Sequence, residues 1–161
     1  MKTTINIIVF FLLAISIWVL VGSKQYILHV ENKKNVVFIY PSWCRVAHEL
    51  LQKEIAPLSK DTSVNVILVC TSSNPKESIA QLKSYGIQQS PIVLQSIFSG
   101  FPPYDRWCIK RFIRSHFSQS NTIDLEGFFF PVPIRFLCDE NLIVKSLLSD
   151  DIMNETLHWD L

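Results

Sequence analysis

The chain has 161 residues, a formal net charge of +1 from fifteen Lys and Arg against fourteen Asp and Glu, and 48% hydrophobic residues. A balance this close to neutral gives no general argument for nucleic-acid binding. Four cysteines at irregular spacing match neither paired zinc-ligand motifs nor the dense framework of a small disulfide scaffold. No metal site is expected, and no cofactor.

Residues 1–4 form a short flank. From Ile5 to Val21 the chain is apolar except at Asn6 and Ser16. A spanning helix needs about 20 residues, range roughly 17–25, so a transmembrane segment is predicted over 5–22. Val21-Gly22-Ser23 offers small residues for signal cleavage. Cleavable signals have apolar cores of about 7–15 residues, however, and this longer run favours an uncleaved signal anchor. Lys24, Lys33 and Lys34 follow the segment and only Lys2 precedes it, which by the positive-inside rule would place the body in the cytoplasm.

Tyr26 to Val30 reads as a short strand and Glu31 to Asn35 as a polar turn. Val36 to Tyr40 is wholly apolar, as a central strand covered on both faces requires. After Cys44, the residues Ala47, Leu50, Leu51 and Ile55 recur at helical spacing, and Pro57 ends the pattern. Val64 to Cys70 is a second buried strand. Asn74-Pro75-Lys76-Glu77 supplies an N-cap, a first-turn proline and an acidic residue, opening a helix that ends near Tyr85-Gly86. Strand, helix, strand, helix predicts a parallel βαβ unit.

Pro91 to Leu94 is a third apolar run. Tyr104 to Phe117 is predicted as an amphipathic helix, with Arg106, Lys110, Arg111 and Arg114 on one side and Cys108, Ile109, Phe112, Ile113 and Phe117 on the other. Val132 to Leu137 gives a strand, Cys138 to Leu142 a turn, and Ile143 to Ser146 a returning strand. Residues 149–161 form a C-terminal tail with a weak helical pattern.

The richest segment is Val36 to Ala47: an apolar strand, the turn Pro41-Ser42, then Trp43-Cys44 as the helix begins. Helix N-termini favour anions, so a cysteine there is placed as a nucleophile.

Three segments together resemble the membrane-anchored, TlpA/ResA-like (redoxin) branch of the thioredoxin superfamily. They are Tyr40-Pro41-Ser42-Trp43-Cys44 after its strand, Val64 to Gly86, and Val132-Pro133 followed by Phe136 to Val144. The resemblance covers about Val36–Leu94 and Phe130–Ser146. It implies an α/β thioredoxin-like sandwich over 23–148, with a central mixed sheet flanked by helices, one N-terminal transmembrane helix, and an insertion at about 95–130. It also implies a single-pass membrane protein whose domain lies on the periplasmic or extracellular side, opposite to what the lysines alone suggest. Its partners would be protein thiols or disulfides, with the membrane engaged through the N-terminal helix. Three features depart from the pattern. Ala47 stands where the family has its second cysteine, Asn141 stands where the hairpin usually has glycine, and the helix after Cys44 lacks the family's usual proline. Peroxiredoxins fit less well, because Pro41 occupies the place of their required Thr or Ser.

For the chemistry, Cys44 is the candidate attacking thiol, with Trp43, Arg45 and His48 near it. The resemblance makes Pro133 the family's cis-proline, so that the backbone of Val132 would hold an extended substrate. Cys70, at the end of the neighbouring strand, is the candidate substitute for the missing partner thiol. The alternatives stay open. Cys44 can be a relic in a fold used for binding or assembly, His48 and Arg45 ordinary surface residues, Cys70 a buried strand-end cysteine, and the basic helix face simply solvated. The expected function is thiol–disulfide exchange with a single cysteine, and the alternative is a non-catalytic binding module.

Overall fold

The computed structural model describes residues 9, 26–28, 32–95, 98–123, 125 and 132–148. The predicted anchor at 5–22 (apart from Val9), the tail at 149–161 and residues 126–131 lie outside them. Among the described residues no helix is long and apolar enough to cross a membrane.

The first strand, β1 (Lys34–Pro41), is buried along all but its first residue and forms the middle of the sheet. Helix α1 follows, α-helical over Arg45–Leu50, π-helical over Leu51–Ile55 and α-helical again over Ala56–Leu58. Pro57 explains the wider turn. It lacks an N–H and its ring crowds the carbonyl four residues back, and ahead of it the Ala56 N–H reaches Leu51, five residues away. The helix thus runs through Pro57 rather than stopping there.

Next come β2 (Val64–Ser72), α2 (Pro75–Ser84) and β3 (Ile92–Gln95). The Asn74 side chain accepts from the Glu77 N–H at 3.4 Å and donates to the Glu77 carboxylate at 3.2 Å, the cap its sequence predicts. At the other end, Gly86 at φ 80 lets its own N–H reach the Lys83 carbonyl and the Ile87 N–H reach that of Leu82, closing the helix. Helix α3 (Pro102–His116), β4 (Ile134–Cys138) and β5 (Val144–Leu147) complete the order.

The sheet order is β3-β2-β1-β4-β5, with β1, β2 and β3 parallel and β4 and β5 antiparallel to their neighbours. Alternation along the strands feeds two cores. Phe38, Tyr40, Leu68 and Cys70 meet Ala47, Leu51, Ile55 and Leu82 of α1 and α2 on one face. Val37, Ile39, Val69 and Phe136 meet Ile109, Phe112 and Ile113 of α3 on the other. The helix expected inside the 95–130 segment therefore packs on one face of the sheet.

The strand expected over Tyr26–Val30 also changes: Tyr26, Ile27 and Leu28 are not in a strand, and the remaining two positions lie outside the described residues. Tyr26 attaches through its side chain, donating its hydroxyl to the Val93 carbonyl at 3.3 Å and packing edge-on to Phe112. In the last hairpin, the residue in the left-handed region is Leu142 at φ 59. Asp139 shapes that turn by accepting from the N–H groups of Asn141 and Ile143, both at 2.9 Å.

Candidate active site around Cys44

β1 delivers its C-terminal end to an edge where three segments converge. The Ser42 N–H bonds to the Thr71 carbonyl of β2, and the Cys44 N–H to the Pro41 carbonyl, each at 3.0 Å. This tight turn leaves Cys44 in extended geometry (φ −78, ψ 106) as the N-cap of α1, one residue before the helix rather than within it. Its side chain caps nothing, and no acidic residue occupies the first turn of α1.

The Cys44 thiol donates instead to the Val132 carbonyl at 3.8 Å. Strand pairing explains the encounter. Antiparallel register sets Ile39 opposite Ile134, so the residues just before β4 arrive beside the residues just after β1. The Val132–Pro133 peptide is cis. Cys44 is only 7% exposed, and the covering edge includes this backbone.

The other sequence candidates divide. Trp43 is 39% exposed and donates its indole N–H to Asp105 Oδ2 at 2.6 Å, while the Arg106 guanidinium lies 5.7 Å from its ring centre. His48 turns back toward the turn: Nε2 lies 2.7 Å from the Ser42 carbonyl, and the ring stands edge-on to Tyr40 and Tyr85. Arg45 points into solvent and pairs with Glu49 at 3.4 Å along the helix surface. Neither makes a hydrogen bond to the Cys44 sulfur among the described residues.

All four cysteines are unpaired thiols. Cys70 shares the core beneath α1 with Cys44, and it is fully buried. Burial pushes its thiol up to about 11, against weaker opposing hydrogen bonds from Ser78 and Tyr40. Cys138 closes β4 rather than opening the turn, and burial raises it to about 11 as well. Cys108 lies half-buried on α3 and is raised to about 11 by the same cause. Ala47 is fully buried in the core beneath α1. Among the described residues no cluster of His, Cys, Asp or Glu could hold a metal ion.

Asp105 is the residue that sequence reasoning missed. A signal existed: it stands four residues before Ile109 and seven before Phe112, on the stripe that α3 buries. An acidic side chain on that stripe needs a partner.

No family model matches the sequence, and no curated protein matches it. Solved structures do resemble its backbone. The thioredoxin domain of a thiol-disulfide oxidoreductase from Bacteroides vulgatus superposes with a TM-score of 0.52 at 13% identity, covering 79% of this chain and 78% of that one. A thiol:disulfide interchange protein from Bacteroides sp. gives 0.51 at 13% identity, over 80% of this chain and 73% of that one. With the sheet order, the helices on both faces and the cis-proline before β4, these likenesses establish that the chain has the thioredoxin-like fold.

Proposed function

We propose that the protein carries out thiol–disulfide exchange on proteins outside the cytoplasm, held at a membrane by residues 5–22, with Cys44 as its single attacking thiol. The observation that carries this reading is the Cys44 sulfur at the N-cap of α1, 3.8 Å from the Val132 carbonyl. A substrate strand aligned on that backbone brings its disulfide to the sulfur.

The exchange balances without a cofactor. The Cys44 thiolate attacks one sulfur of a substrate disulfide; a bond from Cys44 to that sulfur forms as the substrate bond breaks. The other substrate sulfur leaves with the electron pair and takes a proton from solvent. Because Ala47 supplies no second thiol, a thiol from another molecule attacks the mixed disulfide and returns Cys44 to its reduced form.

A second reading, a non-catalytic binding or assembly module, is favoured by the full burial of Ala47 and the low exposure of Cys44. Incubation with glutathione disulfide separates the two. Exchange predicts a glutathione adduct on Cys44 that added thiol removes; a binding module predicts no adduct there.

A further inference from the structure

Trp43 immediately precedes the candidate nucleophile, and α3 holds it from across the edge of the sheet. The Asp105 oxygen that accepts the Trp43 indole N–H also accepts the Gly100 N–H, at 2.9 Å. One carboxyl oxygen thus ties together the turn before α1 and the loop before α3. The bond to Trp43 is short for N–H···O, and the two residues lie 62 positions apart.

Structural economy does not explain an acid at this position. Asp105 is completely buried, and its second oxygen, Oδ1, has no hydrogen-bond partner among the described residues. An unsatisfied buried polar atom is costly, and an apolar residue would continue the stripe of Ile109 and Phe112 without that cost. What an apolar residue cannot do is accept the two N–H groups. The Trp43 ring is held at its nitrogen by Asp105 while Arg106 lies against it. Cys44 is therefore bordered by a side chain that α3 fixes and by a backbone edge that β4 fixes.

We propose that Asp105 is a positioning residue for disulfide exchange: through Trp43 it holds the Ser42–Cys44 turn so that the Cys44 sulfur meets an incoming disulfide in line. The proposal rests on the reading of Cys44 as the attacking thiol. In-line geometry matters because the attacking, central and leaving sulfurs exchange one electron pair along a common axis. Misplacement of a reacting group by about 1 Å can cost about a hundredfold in rate. A small alkylating reagent can approach from any open direction, whereas a peptide disulfide has to arrive along the Val132 edge. Loss of the Asp105 tether should therefore slow disulfide attack much more than alkylation.

The test uses the full chain and reads Cys44 by mass spectrometry, with glutathione disulfide and iodoacetamide as probes. Asp105→Leu and Trp43→Phe should each lower the glutathione disulfide rate about tenfold or more and leave the iodoacetamide rate near wild type. The double variant should be no slower than either single one, since both remove the same link. Asp105→Asn keeps an oxygen that can accept both N–H groups, so it should retain most of the rate. It should also retain the slow hydrogen exchange of the Trp43 indole, which Asp105→Leu loses. If Asp105→Leu does not fold, Trp43→Phe and Asp105→Asn carry the test. The proposal is overturned if the tether variants slow both probes alike or neither, or if Asp105→Asn loses as much rate as Trp43→Phe. A wild-type Cys44 that takes iodoacetamide but never glutathione disulfide overturns the exchange reading itself, and this inference with it.

Discussion

The sulfur of Cys44 and the carbonyl oxygen of Val132 stand 3.8 Å apart although they lie 88 positions apart in the chain. The central strand produces this meeting. β1 carries Cys44 at its exit, and its antiparallel partner β4 begins just after Val132. Any change that shifts the β1–β4 register moves the thiol away from the carbonyl to which it donates.

At neutral pH, Cys44 is expected to be alkylated first among the four cysteines. Burial raises Cys70, Cys108 and Cys138 to about 11, and the thiolate is the reactive form. Their rates should climb about tenfold per pH unit until pH approaches that value. Rate constants for each site, read by mass spectrometry across pH 7 to 11, check the order. Faster modification of Cys70 or Cys108 than of Cys44 at neutral pH would count against a nucleophilic Cys44.

Arg135 and Glu54 form a 2.6 Å ion pair that ties β4 to the π-helical part of α1, with side chains 7% and 27% exposed. Glu54→Gln should destabilise the fold by about 1–3 kcal/mol, short of the fully buried case because Glu54 is partly solvated. Urea unfolding measures the loss. Changing both residues to apolar ones of similar volume should cost less than Glu54→Gln alone.

Phe136 is fully buried and meets Phe117 edge-on at a centroid distance of 4.9 Å, where α3 ends against the sheet. Phe136→Ala should cost about 3–5 kcal/mol. Hydrogen exchange in α3 should quicken along with exchange in β1, because both rest on the same core. Faster exchange in β4 alone would show that α3 is less integral to the core than its packing implies.

Much of this fold is legible in the sequence because its signals are local. The uninterrupted apolar runs of β1 and β2 mark strands covered on both faces, and Asn74, Pro75 and Gly86 mark where α2 begins and ends. The amphipathic pattern of α3 is equally plain, but which face of the sheet it covers depends on long-range packing. Leu142 shows another limit: Asn141 offers the better left-handed residue, yet the Asp139 hydrogen bonds set the turn one position later. At the site, Trp43, Cys44 and Pro133 stand out in sequence, whereas Asp105 becomes meaningful only when α3 is placed against Trp43. His48 shares a helical face with Cys44 in principle, but its Nε2 lies 2.7 Å from the Ser42 carbonyl instead. No local pattern encodes that choice.

The absence of a second thiol at Ala47 provides the most direct measurement. If Cys44 performs exchange, wild-type protein kept under oxidising conditions should accumulate mixed disulfides on Cys44, because attack needs one thiolate and release needs another thiol. Ala47→Cys places a sulfur three residues after Cys44, inside α1; Ala47 is fully buried, so the larger side chain should cost about 1 kcal/mol or more in packing. The variant should still shorten the life of the adducts, and Cys44→Ser should remove them altogether. Non-reducing gels with mass-spectrometric identification of the linked cysteine count them. Adducts on Cys44 in wild type that decline in Ala47→Cys are the predicted result. A wild-type protein without adducts, whose binding partners all survive Cys44→Ser, would contradict a catalytic Cys44 and favour the binding module.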